Sequence, residues 1–494
     1  MLLISVQVDL QKCKRPDSVR VRKKHIWREK VCFIWIKMNL NIIKIKMELF
    51  GTDGIRFIVS GNSQGDELKY SPDLIFKIAK ATSRVMEKGN YVVVWDTRKS
   101  SLPIVSIFSG VLVSQNFNVK LAGILPTPAA SLICRTLKYN GAFSVSASHN
   151  PSEFNGIKFF NKDGLKLDQK TEKEIEKFFL KNQKINEAEN SYKIGELHQD
   201  YEFCKSTYKS FILNLFPKNM LKGLNIVLDC SNGSTSNVAP EIFRELGAKV
   251  KTIGANPDGE NINLGVGSEN PQKALSEDGD FKVIFDGDGD RVLIGDSKGN
   301  LYDGDQLISI LAKSMIEKGE LRWGIVGTIL SNIALEKFAK ENKLNFVRVD
   351  VGDRNIAYKM KEVGANLGGE ESGHIILYDI LPTGDGIISA LKVLEYVIKK
   401  QKDLKDLAIE KFYQAKGKIK ISQKKDLKSE EFRNVWKIKE EVEKSGGRVV
   451  VRYSGTEPVI RVMVEHENKE KAEEIKDKIE EELKKIFINN EKSK

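Results

Sequence analysis

Short apolar runs that end in polar, glycine-containing loops recur along the chain and limit what it can fold into. Such runs are YVVVWDTR (91–98), NIVLDCSNGS (225–234), FKVIFDGDGD (281–290) and GIVGTILSN (324–332). Stretches with helical spacing separate them, such as LKYSPDLIFKIAKATSRVMEK (68–88), in which Ser71 is placed to cap the helix. Strands that alternate with helices predict mixed or mainly parallel sheets, which bind ligands at the carboxyl ends of their strands.

The size and composition of the chain predict a folded, multidomain protein. Its 494 residues are 40% hydrophobic and 30% charged, which suits three or four domains of about 100 to 150 residues each. No uninterrupted apolar run reaches the roughly 18 residues of a membrane-spanning helix, so no membrane partner is expected. The cysteines are scattered and lack CxxC spacing, which argues against a disulfide framework or a zinc site and favours a reducing cytoplasm. They are Cys13, Cys32, Cys134, Cys204 and Cys230.

The net charge of +12 is concentrated at the N-terminus. Residues 1–46 hold 12 Lys or Arg and 3 Asp or Glu, which leaves 68 basic and 65 acidic residues in the rest of the chain. Nucleic-acid binding needs clustered basic residues, so the near balance of the body predicts no nucleic-acid partner. The extension itself could be a basic arm, an imperfect targeting segment or sequence upstream of a start at Met47. We favour the last and expect residues 1–46 to lie outside the fold.

The loop DGDGDR (286–291) is a candidate metal site. Asp286, Asp288 and Asp290 are separated by glycines, so a flexible backbone can turn the three carboxylates toward one point. Oxygen ligands without His or Cys suit Mg²⁺. A calcium EF-hand is excluded because Arg291 and Ser297 occupy the positions that need Gly and Glu. An ordinary Asp-Gly turn between strands is the alternative.

Two further loops carry groups that suit sugar phosphates. RYSGTEP (452–458) joins the apolar runs GRVVV and VIRVMV, and backbone N–H groups, hydroxyls and guanidinium groups there can bind an oxyanion. The candidates are Arg452, Ser454, Gly455 and Thr456, with Arg461 nearby. GGEESGH (368–374) offers donors and acceptors for sugar hydroxyls or an amine through Glu370, Glu371, Ser372 and Gly373. Taken alone, either loop could be an ordinary turn.

Together these loops resemble those of a known family. SASHNP (146–151), DGDGDR, GGEESGHII and RYSGTEPVIRVMVE are similar, in the same order, to the phosphoserine, metal, sugar and phosphate loops of the α-D-phosphohexomutase superfamily. FGTDGIR (50–56) and LPTPA (125–129) also match, and the resemblance runs from about Met47 to the C-terminus. The sugar loop followed by PTGDG (382–386) looks like the phosphoglucosamine branch of that superfamily.

The resemblance implies an α/β fold with four domains around a central cleft. Three related mixed-sheet α/β domains would carry the phosphoserine, the metal and the sugar-recognition loops, and a smaller C-terminal α+β domain would act as a phosphate-binding lid. The expected boundaries are 47–203, 204–300, 301–412 and 413–494. No interface signature is legible, so the sequence predicts no oligomeric state.

The resemblance also implies a cytoplasmic mutase that uses Mg²⁺ and supplies amino-sugar precursors of the cell wall. Ser148 would carry a phosphoryl group and, with the three aspartates, bind the metal. A hexosamine phosphate would be the substrate, and glucosamine 6-phosphate and glucosamine 1-phosphate would interconvert through a bisphosphorylated sugar intermediate. The serine, metal and phosphate loops are shared with phosphomannomutases and phosphoglucomutases, so those activities are the alternative. A non-catalytic sugar-phosphate-binding protein and a basic-arm scaffold also stay open.

Catalytic roles follow from the matched motifs. Lys158 and Arg56 are expected beside the reacting hydroxyl, where Lys158 would act as general base or orient the proton. His374 is the second candidate for proton transfer, although a lone histidine is often structural, and His149 directly follows the serine. Arg291 is expected to support the metal loop.

The sequence departs from the family pattern at several positions. Phe57 and Trp95 replace a glycine and an arginine, so the first loop could close differently. Tyr453 stands where proline is common, and Asp350 where lysine is common. Glu371 stands in place of glutamine, and it could attract the ammonium group of glucosamine or face solvent.

Overall fold

The computed structural model of the chain describes residues 49–61, 68–181, 193–454 and 458–488. The predicted extension, residues 1–46, lies outside the described residues. The chain divides into two units, Met1–Leu49 and Phe50–Lys494, and the fold described below belongs to the second.

The first region of this unit is a mixed sheet with helices on its faces. Its strand order is β1-β5-β4-β2-β3-β6, and β2 pairs in parallel with both β3 and β4. Central parallel strands are buried on both faces, which explains the apolar run in β2. The predicted cap is confirmed, because the Leu74 backbone N–H donates to Ser71 Oγ over 3.0 Å. The elements are β1 (Ile55–Ile58), α1 (Pro72–Val85), β2 (Asn90–Trp95), α2 (Ser101–Ser114), β3 (Asn118–Ile124), α3 (Thr127–Thr136), β4 (Gly141–Val145), β5 (Phe154–Asn161), α4 (Gln169–Leu180) and β6 (Leu197–Gln199).

The second region is another mixed sheet, with the order β11-β10-β9-β7-β8. Strand β7 pairs in parallel with β8 and β9, whereas β9 and β10 form an antiparallel hairpin. The turn of that hairpin is the DGDGDR loop, so the fold places its carboxylates at the end of a buried strand. The elements are α5 (Tyr201–Leu213), β7 (Asn225–Asp229), α6 (Val238–Glu245), β8 (Lys249–Ile253), α7 (Gln272–Leu275), β9 (Phe281–Phe285), β10 (Val292–Asp296) and β11 (Leu301–Tyr302).

The third region has the sheet order β13-β12-β14-β15. Strand β12 pairs in parallel with β13 and β14, and the sugar loop connects β14 to its antiparallel neighbour β15. A capping box between Asp303 and Gln306 starts α8, and Gly319 ends it in the left-handed conformation. The elements are α8 (Gly304–Lys318), β12 (Gly324–Thr328), α9 (Ile333–Glu341), β13 (Asn345–Val349), α10 (Asp353–Val363), β14 (Leu367–Gly369), β15 (Ile375–Leu377), α11 (Gly386–Lys400) and α12 (Leu404–Leu407).

The C-terminal region is smaller and has an antiparallel sheet with the order β16-β18-β17. One face of this sheet packs on α13 and α14, whose apolar residues share a separate core with it. The elements are β16 (Tyr413–Lys420), a short 3₁₀ helix (Glu430–Phe432), α13 (Arg433–Lys444), β17 (Arg448–Tyr453), β18 (Val459–His466) and α14 (Lys469–Ile488).

The predicted fold class is confirmed: mixed α/β sheets form three domains, and a smaller α+β domain closes the chain. One extended core joins the first three regions, from Val92 through Val283 to Leu394. In the part of the chain that the structure describes, no helix is both long enough and apolar enough to cross a membrane.

Candidate active site

Ser148 lies in the loop between β4 and β5 in an unusual backbone conformation. Its φ is +52°, a left-handed value that costs a residue with a side chain about 1 to 2 kcal/mol. The serine is 1% exposed, and its backbone N–H donates to Ser146 Oγ over 2.9 Å. This conformation lets Ser148 Oγ donate to Asp286 Oδ2 over 2.6 Å. The first and second domains therefore meet at the serine hydroxyl.

Two side chains hold the carbonyl groups of this loop. The buried guanidinium of Arg98 pairs with Asp96 over 2.8 Å and donates to the carbonyl oxygens of Ser148, over 3.0 Å, and Asn150, over 2.7 Å. It also donates to the Pro151 carbonyl. Asn263, from the second domain, donates to the same Ser148 and Asn150 carbonyls over 2.9 and 3.0 Å. The loop is thus fixed from both domains.

The three aspartates of the metal loop converge as predicted. Asp286, Asp288 and Asp290 are at most 3% exposed, and one carboxylate oxygen from each lies within 4.8 Å of the others. Gly287 allows the close approach of the serine loop, since a Cβ there would lie 2.5 Å from the Ser148 carbonyl oxygen. Thr127 also meets this loop, because its hydroxyl donates to Asp288 Oδ2 over 2.5 Å.

The residues of this cluster fit a hard divalent cation. Oδ1 of Asp288 and Oδ1 of Asp290 are buried and have no hydrogen-bond partner within the described residues. Burial, followed by repulsion from Asp290 and Asp288, raises the pKa of Asp286 well above its ordinary value. Buried carboxylates that repel one another and have oxygens that accept no hydrogen bond within the described residues are what a cation with oxygen ligands would stabilise.

Lys158 brings the opposite charge to the same point. It lies on β5 and is 1% exposed, and its Nζ is 2.8 Å from Asp288 Oδ2, 2.9 Å from Asp290 Oδ2 and 3.1 Å from Asp53 Oδ2. Burial alone would lower the pKa of Lys158, but these carboxylates outweigh it and raise the pKa well above its ordinary value. In this arrangement Lys158 is an ammonium group that can orient and neutralise an anion.

Arg56 contacts the serine loop, and His149 is part of it. Arg56 donates to Asn150 Oδ1 over 2.8 Å and to Asp53 Oδ2 over 2.5 Å. His149 Nδ1 lies 3.4 Å from Ser148 Oγ. Burial, together with the positive charges of Arg291 and Arg56, lowers the pKa of His149 to about 3, so its ring is neutral at pH 7.

The guanidinium of Arg291 lies against the metal loop. Its Nε is 4.0 Å from Asp290 Oδ1, and its backbone N–H donates to Asp286 Oδ1 over 3.2 Å. Burial opposes the charged form of Arg291, but Asp286 and Asp290 raise its pKa. The predicted support of the metal loop by Arg291 stays a prediction.

His374 joins the third domain to the metal loop. It is 2% exposed, with Nδ1 3.6 Å from Asp290 Oδ1 and Nε2 3.5 Å from Asp353 Oδ2. The Gly384 N–H donates to Nε2 over 3.0 Å, so this nitrogen is an acceptor in the arrangement seen. Burial opposes protonation of His374, but the Asp290 and Asp353 carboxylates outweigh it and raise the pKa.

The remaining sugar-loop residues lie beside this histidine. Glu370 Oε1 accepts a hydrogen bond from the Gly352 N–H over 3.0 Å. Ser372 has a buried hydroxyl without a partner in the described residues, and a Cβ at Gly373 would meet the Val292 carbonyl at 2.3 Å.

Glu371 pairs with two lysines, Lys411 between α12 and β16 and Lys416 on β16. Its carboxylate lies 3.2 Å from Lys411 Nζ and 3.4 Å from Lys416 Nζ, on β16 of the C-terminal domain. Glu371 was expected to attract the sugar ammonium group or to face solvent, and its pairing with the two lysines was not predicted.

The phosphate loop is only partly described. Gly455 and Thr456 lie outside the described residues, and Ser454 is 3% exposed at the end of β17. Arg452 and Arg461 are directly opposite each other on β17 and β18. They line a cavity of about 540 Å³ between the C-terminal sheet and Leu330 of the third domain. Its lining includes the cations Lys416 and Lys418 and the apolar residues Leu330, Val450, Val462 and Met463.

Local contacts explain three of the departures from the family pattern. Phe57 is 1% exposed, and its ring lies 6.2 Å from that of Tyr70, so it belongs to the core. The Tyr453 hydroxyl bonds both to the backbone N–H and to the carbonyl of Lys425. Burial and then Arg461 lower the pKa of Arg452, whereas Asp350 raises it, so the acid at this position supports the phosphate-loop arginine. Nothing in the structure explains Trp95.

Several site residues were missed by sequence reasoning. Asp53 and Thr127 lie within the recognised motifs FGTDGIR and LPTPA, and Arg98 ends the apolar run YVVVWDTR, but no role was assigned to any of them. Asn263 and Lys166 lie outside every recognised motif, and only the folded structure brings them to the site.

Comparison with known proteins identifies the family. The chain matches all four domain models of the phosphoglucomutase/phosphomannomutase family: alpha/beta/alpha domain I over residues 47–186, domain II over 202–299, domain III over 303–414 and the C-terminal domain over 414–482. These matches cover most of the chain in the order in which the structure shows the four regions. The protein belongs to the phosphoglucomutase/phosphomannomutase family.

Individual relatives and solved structures of this family are also similar to the chain. The chain is 39% identical over 453 residues to a phosphoglucosamine mutase of Aeromonas salmonicida (strain A449), covering 89% of this chain and 99% of that protein. Its fold is similar to that of a phosphoglucomutase/phosphomannomutase family protein from Burkholderia thailandensis, with a TM-score of 0.71, 20% identity and coverage of 88% and 97% of the two chains. It is also similar to Aspergillus fumigatus N-acetylphosphoglucosamine mutase in complex with GlcNAc-6P and magnesium, with a TM-score of 0.60, 15% identity and coverage of 88% and 95%. At these identities the two solved structures bear on the fold alone.

Proposed function

We propose that this protein is a phosphohexomutase that interconverts glucosamine 6-phosphate and glucosamine 1-phosphate. The observation that carries the proposal is the contact of Ser148 Oγ with Asp286, 2.6 Å long, at the edge of a buried three-aspartate cluster. The similarity to a phosphoglucosamine mutase over nearly the whole chain supports the amino sugar as substrate.

Ser148 is proposed to carry the phosphoryl group. A phosphoryl group on its Oγ would lie next to the Asp286 carboxylate. Two negatively charged groups are not stable side by side in a buried site unless a cation lies between them. Asp286, Asp288 and Asp290 would hold Mg²⁺ there with a phosphoryl oxygen. When bound, the ion supplies charge neutralisation and alignment for phosphoryl transfer.

The reaction then consists of two transfers between Ser148 and the sugar. In the first, the Oγ–P bond breaks, the free hydroxyl of the bound monophosphate forms a new O–P bond, and the product is a 1,6-bisphosphate. In the second, the other phosphate of the bisphosphate returns to Ser148 after the sugar has turned in the cleft. The enzyme ends phosphorylated, and no phosphate is gained or lost overall.

Each transfer also moves one proton. The attacking hydroxyl loses its proton, and the oxygen that leaves phosphorus gains one. Because its pKa is raised, Lys158 is suited to orient the hydroxyl and to neutralise charge that develops on the transferred group. His374 is the second proposed group for the proton, because the Asp290 and Asp353 carboxylates, at 3.6 and 3.5 Å, stabilise its charged form and raise its pKa.

The lid is proposed to bind the phosphate that is not reacting. Arg452 and Arg461 meet across β17 and β18, and guanidinium groups bind phosphate oxygens in pairs. Lys416 and Lys418 line the same cavity and add positive charge. These cations would bind a phosphate group on either C1 or C6 of the sugar. The proposed reaction requires this, because the non-reacting phosphate differs between the two transfers.

The sugar loop is proposed to determine which hexose phosphate the enzyme prefers. Because Glu371 binds two lysines, Glu370 is the carboxylate of this loop that is proposed to meet the substrate. A mutase for glucose or mannose phosphates is the second candidate, since its serine, metal and phosphate chemistry would use the same residues.

Ser148→Ala tests the phosphoserine directly. After incubation with a hexose 1,6-bisphosphate, the wild type should gain one phosphate that peptide mass spectrometry locates on Ser148. The variant should gain none, lose mutase turnover and still bind glucosamine 6-phosphate with a similar Kd. Turnover at the wild-type rate by Ser148→Ala would refute the proposed mechanism.

A further inference from the structure

Lys166 is a buried lysine next to the site, and it lies in none of the recognised motifs. It follows β5, is 7% exposed and bridges two carboxylates from different domains. Its Nζ contacts Oδ1 of Asp53, in the first domain, and lies 2.6 Å from Oδ2 of Asp353, at the start of α10 in the third domain. Its backbone carbonyl accepts a hydrogen bond from the Tyr358 hydroxyl over 3.0 Å, which fixes the chain beside it.

Each of these carboxylates also contacts a proposed catalytic group. Oδ2 of Asp53 lies 3.1 Å from Lys158 Nζ and 2.5 Å from a guanidinium nitrogen of Arg56. Oδ2 of Asp353 lies 3.5 Å from His374 Nε2. A single ammonium group therefore connects the cations of the first domain to the histidine of the third.

We propose that Lys166 is a positioning residue for the phosphoryl transfer: by holding Asp53 and Asp353 together, it fixes Lys158 and His374 relative to one another. Lys166 itself does not reach the reacting atoms. The inference rests on the proposed mutase function and adds to it a residue whose role is to align the proton-handling groups of two domains.

The effect of losing Lys166 follows from the charges around it. Without the ammonium, Asp53 and Asp353 would face each other as nearly buried carboxylates, with side-chain exposures of 20% and 10%. Such groups repel, so they would turn apart toward water or toward their remaining cations. Lys158 and His374 would move with them, while the lid residues that bind the distant phosphate would keep their places. A displacement of about 1 Å at reacting groups can cost about 100-fold in rate.

A purely structural role is the competing explanation, since Lys166 also ties the first domain to the third. The chain offers a matched control for that role. Arg354, the neighbour of Asp353 on α10, pairs with Glu172 of α4 across the same two domains. The side chains of that pair are 11% and 10% exposed, close to the 7% and 10% of Lys166 and Asp353. In the part of the chain that the structure describes, neither Arg354 nor Glu172 has an ion pair with Asp53, Lys158 or His374.

The experiment compares Lys166→Met, Lys166→Arg and Arg354→Met in the full-length, phosphorylated enzyme. We expect Lys166→Met to lower kcat about 100-fold with KM within about threefold of the wild type, because alignment is lost and substrate binding is kept. Lys166→Arg should recover at least about tenfold of that loss, since it restores the charge. Arg354→Met should lower Tm as much as Lys166→Met while kcat stays within about threefold.

Equal kcat in Lys166→Met and Arg354→Met would overturn the positioning role and leave only a tie between domains. If Lys166→Met does not fold, Lys166→Gln takes its place, because it keeps a polar donor, on a shorter side chain, without the charge and is subject to the same comparison. A wild-type enzyme without mutase activity on any hexose phosphate would instead overturn the proposed function.

Discussion

Replacing Arg98 should disturb the serine loop more than any other single change outside the acid cluster. The Arg98 and Asp96 side chains are both fully buried, and removal of one partner of a buried ion pair typically costs about 3 to 5 kcal/mol. Asp96 would keep the hydroxyls of Ser101 and Ser146, each at 2.6 Å, which places the cost near the lower end of that range. The Pro151 carbonyl would lose the donor that Arg98 provides.

The same change should release Ser148 from its left-handed conformation. The strain of about 1 to 2 kcal/mol at φ +52° is maintained by the donors that Arg98 and Asn263 direct at the loop carbonyls. With Arg98 gone, Asn263 is the side-chain donor left to the Ser148 and Asn150 carbonyls within the described residues, and we expect Ser148 Oγ to lose its place at Asp286. We therefore expect Arg98→Met to lose both stability and Ser148 phosphorylation.

The assay measures both losses in the same preparations. For Arg98→Met we expect Tm to fall by about 6 to 12 °C, from a cost of about 3 kcal/mol at about 2 to 4 °C per kcal/mol for a domain of this size. Phosphorylation of Ser148 by a hexose 1,6-bisphosphate should fall at least tenfold. Arg98→Lys should recover part of the stability but not the phosphorylation, because one ammonium cannot reach Asp96 and three carbonyls together.

Arg448→Met is the control for this experiment. Arg448 pairs with the buried Glu465 over 3.0 Å and donates to backbone carbonyls, but it lies on the lid sheet rather than at Ser148. This variant should lower Tm and leave Ser148 phosphorylation intact. An Arg98→Met protein with wild-type Tm and full phosphorylation would refute the argument that the clamp holds the serine loop.

Two further changes test other parts of the account. Gly287→Ala should lower kcat at least tenfold, because its Cβ would lie 2.5 Å from the Ser148 carbonyl oxygen, whereas Gly110→Ala, with open space around it, should leave kcat unchanged; equal rates would contradict the close approach of the two loops. Burial, and then the charge of Asp303, raise the pKa of Asp305 to about 7 in the folded protein. Below about pH 4 this carboxyl is neutral in both the folded and the unfolded state. Between about pH 4 and 7 it is ionised mainly in the unfolded state, so the free energy of unfolding falls as the pH rises. Asp305→Asn should therefore become more stable relative to the wild type between pH 4 and 7, by urea midpoints, and level off above pH 7; a constant difference would contradict it.

Loops that carry several chemical groups close together in sequence could be predicted from the sequence. Asp286, Asp288 and Asp290 follow one buried strand with glycines between them, so their convergence needs only a turn. Ser148 and its loop were recognised because the order of four motifs is specific. The α/β fold could also be predicted, because buried parallel strands are continuous apolar runs in the sequence.

Contacts between distant parts of the chain could not be predicted. Glu371 contacts Lys411 and Lys416, which lie just before and on β16, and no spacing in the sequence indicates that this region approaches the sugar loop. Asn263 and Lys166 are single polar residues in ordinary loops, and their roles depend on domains packing against one another. Such residues become visible only when the relative placement of the domains is known.

The protonation of Lys158 was also beyond the sequence. Its expected role included general base, which requires a neutral amine, but three carboxylates surround it in the structure and favour the ammonium. Asp53 contributes to that environment from another motif, so the balance of charge emerges only from the assembled site.

The substrate preference of the phosphorylated enzyme tests the central claim most directly. We would measure kcat/KM side by side, with Mg²⁺, for glucosamine 1-phosphate or 6-phosphate, glucose 1-phosphate and mannose 1-phosphate. The account predicts a preference of at least about tenfold for the amino sugar, about 1.4 kcal/mol of discrimination in the transition state. An equal or greater kcat/KM for glucose or mannose phosphate would contradict it.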